Sequence, residues 1–264
     1  MVRWAALAVV GVGCADGPVP VPMAEVVVDV AFRAGDLEGT DAVALSGVAI
    51  DPDGGRVLLD AWSGLYDVDA DGVPTLRAGP EALTPTDGWD RRPFTDVAAL
   101  EPGAFAVTVT GDGLRYDEGT GETRQHFCYE PDDMEPEATQ TTESVAFDAD
   151  RGLIYAQPRT QLGGEVTEAS VGAYDVTGGG QPINWFVLDD REFFAGGMAV
   201  DGDDLVLAQG TTLFRGPVDD AVNPFVDLGA LVADDVRGVA IDPATDRLVL
   251  VTADRWLEIE GWRP

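Results

Sequence analysis

The 264-residue chain sets 48 Asp and Glu against 16 basic residues, every one an arginine, for a net charge of −32, which excludes nucleic acid and anionic membrane surfaces as partners. Apolar residues at 45%, with 32 glycines and 17 prolines, exclude a disordered chain and describe many short strands joined by turns. The length suits a single all-β barrel or propeller.

Met1–Arg3 give a short positive start, Trp4–Val12 an apolar run of nine, and Gly13-Cys14 a small residue directly before a cysteine. This is the pattern of a signal peptide over 1–13, too short to stay in a bilayer as a spanning helix. Gly11-Val12-Gly13-Cys14 resembles the bacterial lipobox, in which the cysteine is lipidated after cleavage. Gly11 stands where a leucine is usual, and an ordinary signal-peptidase site with Cys14 incidental is the alternative. Residues 14–23 then read CADGPVPVPM, whose alternating prolines predict an extended, semi-rigid tether. If Cys14 carries lipid, Cys128 has no partner and the fold holds without a disulfide.

The remaining chain, 24–264, reads as one domain of five repeats. Gly47-VAID, Asp96-VAALE, Ser144-VAFDAD, Gly197-MAVDGD and Gly238-VAID align without gaps, with starts 49, 48, 53 and 41 residues apart. Each is followed by an Asp- and Gly-rich turn, a second β-rich run and a third. A fourth run closes the first four units, at Thr75-LRAG, Thr123-RQHFCY, Asn184-WFVLD and Asn223-PFVDLG. The fifth unit stops one strand short, while Glu25-VVVDVAFR stands spare near the N-terminus. Both are resolved if 25–33 supplies the outer strand of the last unit, because an open ring would leave an edge unpaired. The chain is therefore expected to be a five-bladed, all-β propeller of four-stranded antiparallel blades, about 45–79, 94–130, 142–190, 195–229 and 236–262 with 25–33. A sixth, degenerate blade inside the long third unit is the alternative. Alanine recurs at 49, 98, 146, 199 and 240, where inner strands converge and larger side chains would not fit between blades.

The unit GVAIDPDGGRVLLDAWSGLYDVDADG at 47–72 resembles the NHL, YVTN and gluconolactonase-like propeller repeats, and the similarity recurs through the mature chain. The resemblance implies a disc with a central channel and a ligand face built from the loops entering each inner strand and those joining second to third strands. It carries no activity by itself.

On that face, Trp89 beside Arg91 and Arg92, with Trp62, Arg159, Gln209 and Arg255, could stack on and pair with an anionic or sugar-like ligand. Asp67, Asp69 and Asp71 before Gly72 match the first half of a calcium loop, although Ala78 and Thr75 stand where further ligands are needed; an Asp-rich turn is the simpler reading. The gluconolactonase-like enzymes hold a divalent metal with Glu, Asn and Asp from inner strands. Here those starts carry Ser46, Thr95 with Asp96, Glu143, Gly196 and Arg237, which leaves Glu143 and Asp96 as the two candidate ligands of a hydrolase. His126 and Cys128 share a face of an outer strand, where a buried cysteine and an exposed histidine are expected. The expectation is an exported, monomeric, non-catalytic lipoprotein in the cell envelope, touching membrane only through its lipid. It recognises a small molecule or an envelope protein and requires no cofactor, with calcium as a candidate; a metal-dependent lactonase is the alternative.

Overall fold

The computed structural model describes residues 19–20, 24–85, 93–109, 112–128, 138–162, 165–178, 182–187, 195–218, 220 and 222–264. Every regular element among them is a strand. Val19–Pro20 (β1) and Glu25–Ala31 (β2) precede the first repeat. Blade I is Leu45–Ile50 (β3), Arg56–Asp60 (β4), Gly64–Val68 (β5) and Pro74–Ala78 (β6). Blade II is Phe94–Glu101 (β7), Ala104–Val109 (β8), Asp112–Asp117 (β9) and Glu122–Cys128 (β10). Blade III is Ala138–Asp148 (β11), Leu153–Leu162 (β12), Glu165–Asp175 (β13) and Asn184–Val187 (β14). Blade IV is Gly197–Asp201 (β15), Asp204–Gln209 (β16), Thr212–Pro217 (β17) and Asn223–Asp227 (β18). Blade V is Gly238–Asp242 (β19), Arg247–Val251 (β20) and Arg255–Glu260 (β21), completed on its outer edge by β2.

Each blade is an antiparallel sheet running outward in chain order, and the inner strands β3, β7, β11, β15 and β19 each neighbour the next around a closed ring. The spare strand closes it, pairing antiparallel to β21 from Glu25↔Glu260 to Ala31↔Arg255. There is no sixth blade among the described residues: the extra length of the third unit lengthens β11, β12 and β13 instead. Residues 138–143, 157–162 and 165–171 largely form the far part of this long hairpin. Within the expected tether, β1 lies parallel to β18, Val19 opposite Val226.

The core is divided among the five blade junctions. Five hydrophobic clusters each join two neighbouring blades, and each holds one of the repeated alanines with a Val or Met of the next inner strand. Ala49 shares a cluster with Val97, Ala98 with Val145, Ala146 with Met198, Ala199 with Val239 and Ala240 with Val48. Alternate side chains of an inner strand pack on opposite neighbours, as the two-residue period of a strand requires.

Each junction also carries one arginine, on the face bearing the turns between first and second strands. Arg56 of blade I reaches Glu258 and Asp242 of blade V. Arg77 reaches Glu118 of blade II at 2.8 Å and lies 4.6 Å over the Phe105 ring. Arg115 donates to the Val176 carbonyl of blade III at 3.4 Å, and Arg151 to the Gly202 carbonyl of blade IV at 3.4 Å. Arg263, beyond β21, pairs with Asp201 of blade IV at 2.8 Å.

Candidate functional site

The inner strands are the ends of their sheets, so each turns a row of backbone N–H and C=O groups toward the axis. One level of the axis is pinched almost shut. A Cβ on Gly47 would fall 2.9 Å from the Cα of Asp96, one on Gly197 2.6 Å from the Cα of Gly238, and one on Gly238 2.8 Å from the Cα of Gly47. These glycines open the repeats because only a residue without Cβ allows such an approach.

Asp96 holds the equivalent place in blade II, and its carboxylate fills the constriction at 1% exposure. Oδ1 accepts the Val97 N–H at 2.8 Å and Oδ2 the Val145 N–H at 3.0 Å, with a further amide from Met198. Three blades thus donate to one side chain. Burial pushes this carboxyl well above its ordinary range, while the three amides pull the other way.

On the turn side of the constriction the channel widens into a cavity of about 580 Å³. Its blind end is the level of Val48, Val97, Val145, Met198 and Val239, its middle the ring of repeated alanines, and its mouth the exposed turns at Pro52, Ala149, Gly202 and Pro243. Asp51, Asp148, Asp150, Asp201 and Asp246 also line it, against a single cation, Arg263. That arginine spans Asp201 and Asp246 and stacks 4.3 Å over Trp262, whose indole N–H donates to the Asp246 carbonyl at 3.0 Å. The cavity lies on the face opposite the one to which the sequence pointed; its walls are strand edges, for which no side-chain motif exists.

On the opposite, loop-bearing side, β-bulges fall at the same place in three inner strands, at Ser46, Thr95 and Glu143. Gly196 and Arg237 occupy the corresponding places just before β15 and β19. Bulges of this kind re-aim side chains and cluster near sites. The hydroxyls of Ser46 and Ser144 are buried there without a hydrogen-bond partner among the described residues. Glu143 is half-buried.

Of the expected ligand face, Trp89, Arg91 and Arg92 lie outside the described residues, as does Cys14. Trp62 is 43% exposed at the β4–β5 turn, Gln209 ends β16, and Arg159 lies within β12 opposite Thr141 and Ala169. Arg255 opens β21, and its guanidinium pairs with Asp29 of β2, tying the N-terminal strand to blade V. All four lie at the same end of their blades. The structure gives Asp60 a part that sequence reading missed: fully buried, it accepts from the amides of Ala44, Trp62 and Ser63 and from the Ser63 hydroxyl.

Asp67 accepts Arg77 at 2.9 Å, and Asp69 Oδ1 accepts the amides of Asp71 and Val73 at 2.9 and 2.8 Å. The carboxylates of Asp67 and Asp69 are thus engaged by an ion pair and by turn amides respectively. No three His, Cys, Asp or Glu side chains among the described residues converge to hold a metal. His126, expected exposed, is 4% exposed at the junction of blades II and III; burial, then Arg115 and Arg124, lower its pKa.

No protein-family model matches the chain, and no curated protein matches it. Solved structures do. A gluconolactonase from Xanthomonas campestris superposes with a TM-score of 0.56 at 16% identity, covering 84% of this chain and 73% of that one. A putative gluconolactonase gives 0.54 at 11% identity over 82% and 73%. The calcium-binding protein regucalcin from Agrobacterium tumefaciens gives 0.48 at 13% identity over 89% and 96%. At such identities the likeness is one of fold, and together with the closed ring of five sheets it makes this chain a β-propeller.

Proposed function

We propose that the protein is a non-catalytic recognition disc, exported and held in the cell envelope by lipid on Cys14, which binds a small ligand or an envelope protein as a monomer. The observation that carries the reading is the use of Asp96. Both oxygens of the axial carboxylate are taken by backbone amides, so the group that would serve a hydrolase instead seals one end of a cavity built from all five blades. A cavity of this size is within the range of small-molecule sites.

A metal-dependent lactonase acting through Glu143 and Asp96 is the second reading. It is favoured by the three aligned bulges and by the buried, unpartnered hydroxyls of Ser46 and Ser144 beside them. Similar folds include a protein described as a gluconolactonase.

Lactone hydrolysis by the purified protein, with and without added divalent metals, separates the two. The recognition reading expects no turnover above background, no change on Glu143→Ala and no rise in melting temperature with millimolar calcium. Turnover abolished by Glu143→Ala would replace it with the hydrolase. Fractionation of cells expressing Cys14→Ser tests the anchor: the protein should move from the membrane to the soluble fraction.

A further inference from the structure

The turn-face cavity has a definite chemistry. Five carboxylates and one guanidinium line it. Of the carboxylates, Asp51 accepts Arg77, Asp148 accepts Arg151, and Asp201 and Asp246 share Arg263, whereas Asp150 is exposed and makes no ion pair among the described residues. Below the rim, the walls set the alanines and larger apolar residues such as Ile50, Leu100 and Phe147 beside the axial edges of five inner strands. Those edges offer carbonyl acceptors, which can take an ammonium, in alternation with N–H groups. From Asp51 at the rim to Val48 at the blind end is three strand residues, about 10 Å at roughly 3.3 Å each.

The rim already holds one cation of the chain's own. Arg263 enters from the C-terminal end, lays its guanidinium over Trp262 and spans two rim carboxylates from different blades. It covers the blade IV–V side of the mouth only. The side lined by Ala149 and Asp150 of blade III and Pro52 of blade I stays open.

We propose that this cavity binds a small aliphatic cation of the diamine class, with its alkyl body against the alanine ring, one ammonium on the inward carbonyls and the other at Asp150. Charge complementarity selects the sign, and depth with apolar lining selects an aliphatic body over a hydrated metal ion. The assignment deepens the recognition reading and rests on it.

The test is calorimetric titration of the intact protein at physiological salt with three five-carbon probes: 1,5-diaminopentane, pentane-1,5-diol and glutarate. The diamine should bind at one saturable site, and the diol and glutarate should not. Ala149→Trp, which fills the mouth from an exposed turn, and Asp150→Asn should each weaken diamine binding at least tenfold with an unchanged melting temperature. Asp41→Asn, on an exposed loop of the opposite face, should leave it unaltered. Loss of affinity in Asp41→Asn equal to that in Asp150→Asn would reduce the effect to diffuse attraction by an acidic protein and overturn the site. Diol binding as tight as diamine, still blocked by Ala149→Trp, would overturn the cation and keep recognition. Binding of none of the three would also overturn the proposal, and Glu143-dependent lactone turnover would remove the recognition reading itself.

Discussion

Replacing Asp96 by asparagine poses a question of sign that the structure makes sharp. The amide keeps the size of the carboxylate but brings an N–H₂ group to a place where the amides of Val97, Val145 and Met198 already donate. At least one buried donor then faces another donor, which costs about 1–3 kcal/mol. Against this, asparagine removes the desolvation of a buried acid. Burial raises the folded pKa of Asp96 above its unfolded value, so its contribution is complete below the unfolded carboxylate value of about 3.9 and is lost as pH rises through the folded value. Within that window the advantage of wild type over Asp96→Asn should shrink with rising pH, by at most about 1.4 kcal/mol per pH unit. Urea unfolding of both proteins at pH 5, 6, 7 and 8 reads the gap directly. General self-repulsion at −32 charges weakens both alike and cancels in the difference. A gap that widens with pH would refute the reasoning, because it would mean that the three amide donors outweigh burial and hold the axial carboxylate ionised.

Gly238→Ala should lower the melting temperature by several degrees, since its Cβ meets the Gly47 Cα and the Val48 N at 2.8 Å and backbone cannot step aside, an overpacking of about 1–3 kcal/mol. Calorimetry checks it against Gly54→Ala, where the added carbon meets nothing within 4 Å and only the positive φ of 83° is strained. Arg56→Ala strips the V–I junction of its arginine and leaves Glu258, 2% exposed, with Arg247 alone; a loss of about 1–3 kcal/mol in urea titration is expected. Arg255→Ala, in an exposed pair, should be nearly silent. A chain starting at residue 32 lacks β2 and leaves the outer edge of β21 open, so it should aggregate or melt far below a chain starting at 24, as light scattering during a thermal ramp would show.

The repeats made the blades legible because inner strands obey one local rule. The glycine opening three of the repeats is the residue allowed at the constriction, and the alanine two places later is the one allowed at the junction. The closing strand was legible by subtraction, as one strand too few at one end and one too many at the other. Blade III was less legible past its inner half because ATQTTES, QPRTQL and EVTEAS carry no run of apolar residues. The cavity was invisible because strand edges line it. His126 reads as an isolated polar residue on an outer strand, and only the neighbouring blade, where a Cβ on Gly178 would fall 3.6 Å from its ring, buries it.

The arginines show how a lopsided composition is distributed. With 16 cations for 48 anions, carboxylates outnumber arginines three to one, and where the few arginines go decides where negative potential is left. The five junction arginines each bridge two neighbouring blades, to acceptors that range from the buried Glu258 to the exposed Glu118 and Gly202. At the buried Glu258 the ion pair adds to packing instead of competing with solvent alone. Three of the five, Arg77, Arg151 and Arg263, also take up four of the five carboxylates lining the cavity, and Asp150 alone is left without an ion pair among the described residues. A ring held together at its junctions by scarce arginines is therefore left with one unpaired carboxylate at its mouth, so the electrostatics of assembly and the place where the cavity takes a cation follow from one allocation of charge.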